Sequence, residues 1–268
     1  MPVSCEFRRR SRLAVALLAF AVAMPAGAMT CSATSGPRTA TVVELYTSEG
    51  CDSCPPADRW LSSTFAPGGV ATAIPLAFHV DYWDRLGWKD RFASSAWTER
   101  QYAAMRAGGG RFVYTPQVLV QGKDFDSWRS ASAAALAAAS TRPPRAEIAL
   151  GATTRAGSIA VDVAVRVPAA ADRRGATVEV ALVDSGLVSE VKAGENAGKR
   201  LAHDHVVRML EAGPPVDGDG MARGQVVLSL PAEPGSRPAV IALVRNVATG
   251  DVLQALALPL GADCAPSR

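Results

Sequence analysis

The 268-residue sequence has no apolar run reaching the roughly 18 residues that a membrane-crossing helix needs. The run 13–24 has twelve, and no stable span is expected once the segment carrying it is removed. Excess charge is lacking too. Residues 1–28 hold Arg8, Arg9, Arg10 and Arg12 against Glu6, so taking them from 28 basic and 25 acidic residues leaves 24 of each. A near-neutral chain with no basic stripe interleaved with aromatics excludes the field that concentrates nucleic acid or an anionic membrane. No second cysteine pair accompanies Cys51 and Cys54, so half of a zinc site has no other half. Internal repeats are absent as well.

The N-terminus has a basic patch, a short apolar run, then Pro25-Ala26-Gly27-Ala28. That is the layout of a secretory signal peptide, 1–28, cleaved after Ala28. A periplasmic or secreted location is therefore expected, with an uncleaved N-terminal anchor as the alternative. Cysteine usage agrees: Cys5 leaves with the signal, and Cys31, Cys51, Cys54 and Cys264 form an even set suited to pairing in an oxidising compartment. Cys51 and Cys54 are the local pair, which leaves Cys31 and Cys264 as a candidate structural disulfide closing the chain ends onto each other.

The period of the apolar residues changes along the chain. Up to Arg142-Pro143-Pro144, short β-branched runs at 41–46, 73–80 and 117–120 alternate with helical patterns at 55–65, 96–107 and 126–141, the last capped by Asp126. This predicts an α/β domain over 39–142, with a polar and aromatic insertion near 81–110. Beyond the prolines the period becomes two: Ile159, Val161, Val163, Val165 and Val167 share one face of a strand. Further runs at 176–183, 205–210, 225–230, 239–247 and 252–258 predict an antiparallel, sandwich-like all-β domain over 145–260.

The chemistry centres on Cys51-Asp52-Ser53-Cys54-Pro55-Pro56. Two thiols three residues apart across a strand-to-helix junction are close enough to bridge, and the positive end of the helix favours a thiolate on the first. Cys51 is then the attacking thiol and Cys54 the resolving one. Glu49 and Asp52 flank Cys51 and oppose the thiolate, which predicts a couple of intermediate rather than strongly oxidising potential. The same spacing also serves a permanent disulfide or a pair of soft ligands for Cu(I). His203-Asp204-His205 sets two imidazoles at i and i+2, too few ligands for a firm site, and no metal is expected.

Around this pair, Glu44-Leu45-Tyr46-Thr47-Ser48-Glu49-Gly50-Cys51 and Cys54-Pro55-Pro56-Ala57-Asp58 are followed by Phe78-His79-Val80-Asp81-Tyr82-Trp83-Asp84, Gly87-Trp88-Lys89-Asp90 and Tyr114-Thr115-Pro116-Gln117. Gly194-Glu195-Asn196-Ala197-Gly198 and His203 stand further on. With these motifs residues 39 to 140 resemble thioredoxin-like domains, and the whole chain resembles the exported bacterial DUF1223 family. The resemblance implies a thioredoxin-like fold for the first domain, with a cis proline at Pro116, preceded by Thr115, facing the cysteines. It implies no substrate. One position departs from it: where a thioredoxin has a buried acid six residues before the first cysteine, this chain has Leu45, and Glu44 beside it points to the other face of the strand. His79 and Asp81, at the end of the second strand, are candidates to pass a proton to Cys54 or contact substrate; their ordinary role is a satisfied core histidine and a turn cap.

The expected function is thiol-disulfide exchange on protein thiols or disulfides through Cys51 and Cys54, with no organic cofactor. The alternatives are an exported binding protein in which Cys51–Cys54 is a permanent staple, and a Cu(I)-binding thiol protein.

Overall fold

A computed structural model of the chain describes residues 30–66, 73–138 and 142–261. The segment 1–28 expected to be a signal peptide and Cys264, hence the expected Cys31–Cys264 bridge, lie outside the described residues; Cys31 itself is buried. In chain order the first elements are β1 (Thr30–Thr34), β2 (Thr41–Thr47), α1 (Pro55–Thr64), β3 (Ala73–His79), α2 (Ser95–Ala107), β4 (Gln117–Val120), β5 (Lys123–Asp124) and α3 (Ala133–Ala138). There follow β6 (Glu147–Arg155), β7 (Ser158–Arg166), β8 (Ala176–Asp184), β9 (Leu187–Glu190), β10 (Arg200–His203), β11 (Val206–Ala212), β12 (Met221–Ser229), β13 (Ala239–Asn246) and β14 (Val252–Pro259).

Eight strands form one mixed sheet in the order β14-β13-β8-β11-β3-β2-β4-β5. Four more, β1-β6-β7-β12, form an antiparallel sheet, and β9 and β10 pair as a hairpin. All seven residues of β2 are buried, as a β-branched, apolar run in the middle of a sheet should be. Side chains alternate between the faces. Val43 and Leu45 of β2, with Ala77 of β3 and Val118 of β4, pack under Ala57 and Leu61 of α1. Val42 and Tyr46, with Leu76 and Phe78, face the other way, toward Trp97 of α2 and Val183 and Leu243. On the α1 face of the sheet, but at its β8-β13-β14 end, Val178, Val180, Leu182 and Val244 pack against Ile159, Val161 and Val163 of the four-stranded sheet.

This arrangement overturns the expected fold class, an α/β thioredoxin-like N-terminal domain followed by an all-β sandwich-like C-terminal domain. The chain is mostly β, and β2, β3, β4 and β5 are one half of a sheet whose other half is β8, β11, β13 and β14. The join is β11, which lies parallel to β3 with Val206 opposite Ala77, while Ala77 N donates to the His205 carbonyl at 2.7 Å. An edge that would bound a separate domain is thereby paired, which removes the exposed N–H and C=O groups a free edge strand presents. At the other end of the chain's reach, β1 pairs with β6 and belongs to the second sheet.

The helix expected over 126–141 is also different. Asp126–Ser130 is a 3-10 turn with Phe125, not Asp126, at its cap, and α3 starts afresh at Ala133. Ser132 Oγ accepts from Ala135 N at 3.2 Å, capping this second start. Trp128, buried against Trp60 of α1 at 5.6 Å between ring centroids, anchors the turn before it.

Candidate functional site

β2 and β3 run parallel with Thr47 opposite His79, so their C-terminal ends lie side by side, the usual place for a site in a sheet with parallel strands. The loop 48–54 rises from β2, and Cys54 is the N-cap of α1. Cys51 and Cys54 are joined in a disulfide with 5.4 Å between their Cα atoms, and neither is exposed. Cys51 Sγ has the Ser53 hydroxyl at 3.4 Å. Pro55 and Pro56 begin the helix and carry no N–H, so two of the donors that a helix start normally turns toward an anion are missing. The helix end thus favours a thiolate less than the sequence argument allows.

Beneath the disulfide lies a buried polar cluster. Asp90 is fixed by three donors: Glu49 N at 2.9 Å and His79 Nδ1 at 2.7 Å to Oδ2, and Phe92 N at 2.9 Å to Oδ1. Burial opposes the His79 imidazolium, yet the Asp90 carboxylate outweighs it and holds His79 above the ordinary histidine range. Asp90 is held low in return: burial works against its charge, and His79 overcomes it. With Nδ1 committed, His79 Nε2 is buried without a hydrogen-bond partner. Its ring meets that of His203, from β10, edge to face at 5.0 Å. His203 Nε2 is 3.2 Å from Glu49 Oε1, but the two atoms are off hydrogen-bonding geometry. Trp88 Nε1 donates to the other Glu49 oxygen at 2.7 Å. Burial raises the Glu49 pKa, and His203 and Trp88 bring it below the ordinary value against the nearby Asp90 charge. Asp58, on α1, completes the set; burial pushes its carboxyl up, and His203 and His79 only partly offset this. Among the described residues no three His, Cys, Asp or Glu side chains converge as a metal's ligand set would.

Above the disulfide sits the tip of the β9–β10 hairpin. Asn196 is fully buried and its Nδ2 donates to the Glu49 and Cys51 carbonyls, both at 2.8 Å. Lys199 Nζ donates to Asn196 Oδ1, and Asp52 N donates to Glu195 Oε2 at 3.1 Å. Gly194, with φ +73°, rests on Trp88, where a Cβ would come within 3.3 Å of that residue's own Cβ. The side of the pair toward β4 is bounded by Trp83. Its Cβ would lie 3.1 Å from a Cβ on Gly50, and its Nε1 donates to Thr115 Oγ1 at 2.7 Å. The Thr115–Pro116 bond is cis, and the pairing of Tyr46 with Gln117 brings Pro116 level with Thr47.

A family model of proteins of unknown function, DUF1223, matches residues 42–245. The chain belongs to the DUF1223 family. The crystal structure of protein AGR_C_4864 from Agrobacterium tumefaciens is similar at 28% identity, covering 84% of this chain and 96% of that one, with a TM-score of 0.55. HBP35 of Porphyromonas gingivalis is similar in fold at 15% identity over 83% of this chain and 75% of that one, with a TM-score of 0.60. No curated protein matches the chain.

All the groups just described lie within the DUF1223 match, from Glu49 to His203. The fold joins Cys51 to Cys54 and ties their loop to His79 through Glu49 N and the Asp90 carboxylate, with Thr115 and Pro116 reached through Trp83. It leaves Asp81 aside: Thr98 Oγ1 donates to Asp81 Oδ1 at 2.6 Å, tying it to the first turn of α2. His203 and His205 do not share a strand, because β10 ends at His203 and His205 has φ +60°. Sequence reasoning missed Asp58, Asp90 and Asn196 as members of this DUF1223 site. Asp58 had a local signal in its place four residues after Cys54 on a helix, and Asp90 and Asn196 stood in motifs whose meeting with the cysteine loop no local pattern states.

Proposed function

We propose that this protein carries out thiol-disulfide exchange on protein thiols or disulfides through Cys51 and Cys54. The observation that carries the reading is that the covalent bond is redundant as a staple. It closes a loop of only three residues' separation, and disulfides that close short loops constrain the unfolded chain least. The same loop is already held by Cys54 N to the Cys51 carbonyl, by Asn196 Nδ2 to two carbonyls, and by Glu49 N to Asp90. The surrounding titratable groups, Glu49, Asp58, His79 and His203, supply chemistry that a staple does not need.

In the reductive direction the Cys51 thiolate attacks a substrate disulfide, releasing one substrate thiolate and forming a mixed disulfide. Cys54 then attacks Cys51 Sγ, the second substrate thiolate leaves, and the protein keeps the Cys51–Cys54 disulfide until an external dithiol reduces it. The chemistry is that of the thioredoxin-like dithiols the sequence resembles, borne here on a mostly-β architecture. An oxidising compartment outside the cytoplasm suits it, a placement the disulfide supports.

Cys51→Ser is expected to abolish dithiol-dependent reduction of a test protein disulfide, and Cys54→Ser to accumulate mixed disulfides visible by intact mass. Full burial of both sulfurs favours a permanent bridge as the second reading. A disulfide that stays intact in millimolar dithiol, with both variants as active as the parent, would establish that reading instead.

A further inference from the structure

Asp58 stands one helical turn after Cys54, so the two side chains share a face of α1, at a spacing where neighbours are about 5–6 Å apart at Cβ. That face is turned inward, and Asp58 is only 8% exposed. The charged groups that act on it are His203 from β10 and His79 from β3, with Asp90 behind His79 and Glu49 beside His203, while the other side chains packed on α1, Val118, Trp128 and Leu136, are apolar. The positive groups are titratable imidazoles rather than a fixed cation, so Asp58 is not one half of a structural ion pair. Nothing on β2 competes for its place. Leu45 fills the strand position below α1, and Glu44 is engaged by Arg100 on the opposite face.

We propose that Asp58 is the proton acceptor for Cys54 in the step that closes the Cys51–Cys54 disulfide. The inference rests on the dithiol reading given above. With a mixed disulfide on Cys51, the Cys54 S–H proton passes to the Asp58 carboxylate. The freed electron pair of Cys54 forms the new bond to Cys51 Sγ, the bond from Cys51 to the substrate sulfur breaks, and that sulfur leaves as a thiolate with the bonding pair. The dithiol is oxidised by two electrons and the substrate disulfide reduced by two. His79 is a positioning residue: Asp90 anchors its Nδ1, and its charge partly offsets the burial that pushes the Asp58 carboxyl up. Burial, by raising the acid, brings it nearer to neutrality, where a general base works best.

The test mixes the reduced full-length protein with glutathione disulfide and follows release of the second glutathione, which reports closure, from about pH 5 to about pH 9, a range spanning the free thiol value near 8.5. D58N is expected to slow closure at neutral pH by about 100-fold, the low end for general-base catalysis. The deficit should shrink toward high pH, where Cys54 ionises unaided, and the wild-type inflection should vanish; D58E, which keeps a carboxylate, should restore it. H79Q leaves Asp58 in place but removes the neighbouring positive charge, so its inflection should move to higher pH. An unchanged D58N profile, or an equal loss at every pH, overturns the proposal. Should D58N fail to fold, H79Q decides: an unmoved inflection overturns it, and an upward shift supports it. If Cys51→Ser itself retains exchange activity, the dithiol reading has failed; if Cys51→Ser is inactive and D58N is normal, only the role of Asp58 has.

Discussion

Arg100→Leu is expected to destabilise the protein by about 3 kcal/mol, the cost typical of leaving a buried charge without its partner. Arg100, on α2, reaches across the face of the eight-stranded sheet opposite α1. Its Nη2 and Nε donate to Glu44 Oε1 at 2.8 and 3.1 Å, and its Nη1 donates to Glu179 Oε1 at 2.9 Å. The guanidinium also lies 4.9 Å over the Phe78 ring. Glu44 is 2% exposed, and its other oxygen has no partner. After the substitution only Arg245, 3.4 Å away, would face it. Burial raises the Glu44 pKa, but Arg245 and Arg100 overcome this and hold it below the usual carboxylate value. A depressed folded pKa contributes stability that is present above the unfolded value, about 4.3, and lost as the pH falls through the folded one. The gap between wild type and Arg100→Leu should therefore be widest near neutrality and close on acidification below about pH 4. Urea unfolding checks both points, with a midpoint lower by about 1 M at neutral pH. A double Glu44→Leu, Arg100→Leu variant should recover much of the loss, since an apolar pair replaces an ionic one at little cost. A shift below about 0.3 M, which would correspond to a surface ion pair, contradicts this account.

The second large effect concerns access to the disulfide. Both sulfurs are covered, and the cover is held at its tip by the two hydrogen bonds from Asn196 to the Glu49 and Cys51 carbonyls. Each such bond is worth about 1 kcal/mol net, so Asn196→Ala should favour the opened hairpin by about 2 kcal/mol, or roughly 30-fold in population. Reduction of Cys51–Cys54 by an external dithiol proceeds from the open state, and its rate should rise by the same factor. Amide exchange over 191–199 should accelerate in parallel, because the tip opens as a local unit. An unchanged reduction rate in the presence of faster exchange would mean that reagents reach the sulfurs by another route, past Trp83 and Thr115. Glu49 joins the two layers of the site. Its carbonyl holds Asn196, its carboxylate faces Trp88 and His203, and its N–H is given to Asp90.

How much of this could be read along the chain depends on the range of the interaction. Gln117–Val120 is a strand with the bounds its apolar run predicts, and α1 starts at Pro55, where proline suits a first helical turn. The assignment of Leu45 to the α1 face and Glu44 to the opposite one follows from the two-residue period of a strand, and the packing agrees. The strands Thr30–Thr34 and Glu147–Arg155 and the β9–β10 hairpin went unread. The outward positions of the first two carry mostly Thr, Ser, Gly and Ala, which blur an alternating pattern into a loop-like composition, and β9 and β10 are only four residues each, too short for a period of two to stand out.

Periodicity states which way a side chain faces but not what faces it. That is why β3, read as part of a separate α/β unit, is found paired to β11, some 130 residues away, and why the fold class changed. For the same reason Asn196 was legible as part of a motif but not as the cover of Cys51, 145 residues before it. The sequence by itself determined the cysteine pair, the strand and helix that carry it, and the absence of an acid at Leu45. Only the tertiary structure decided that one sheet runs through both halves, that Asp58, His79, His203 and Glu49 meet beneath the disulfide, and that a hairpin closes over it. Local patterns are set by backbone geometry within a few residues, whereas these meetings depend on which apolar faces bury each other after the chain has folded back on itself.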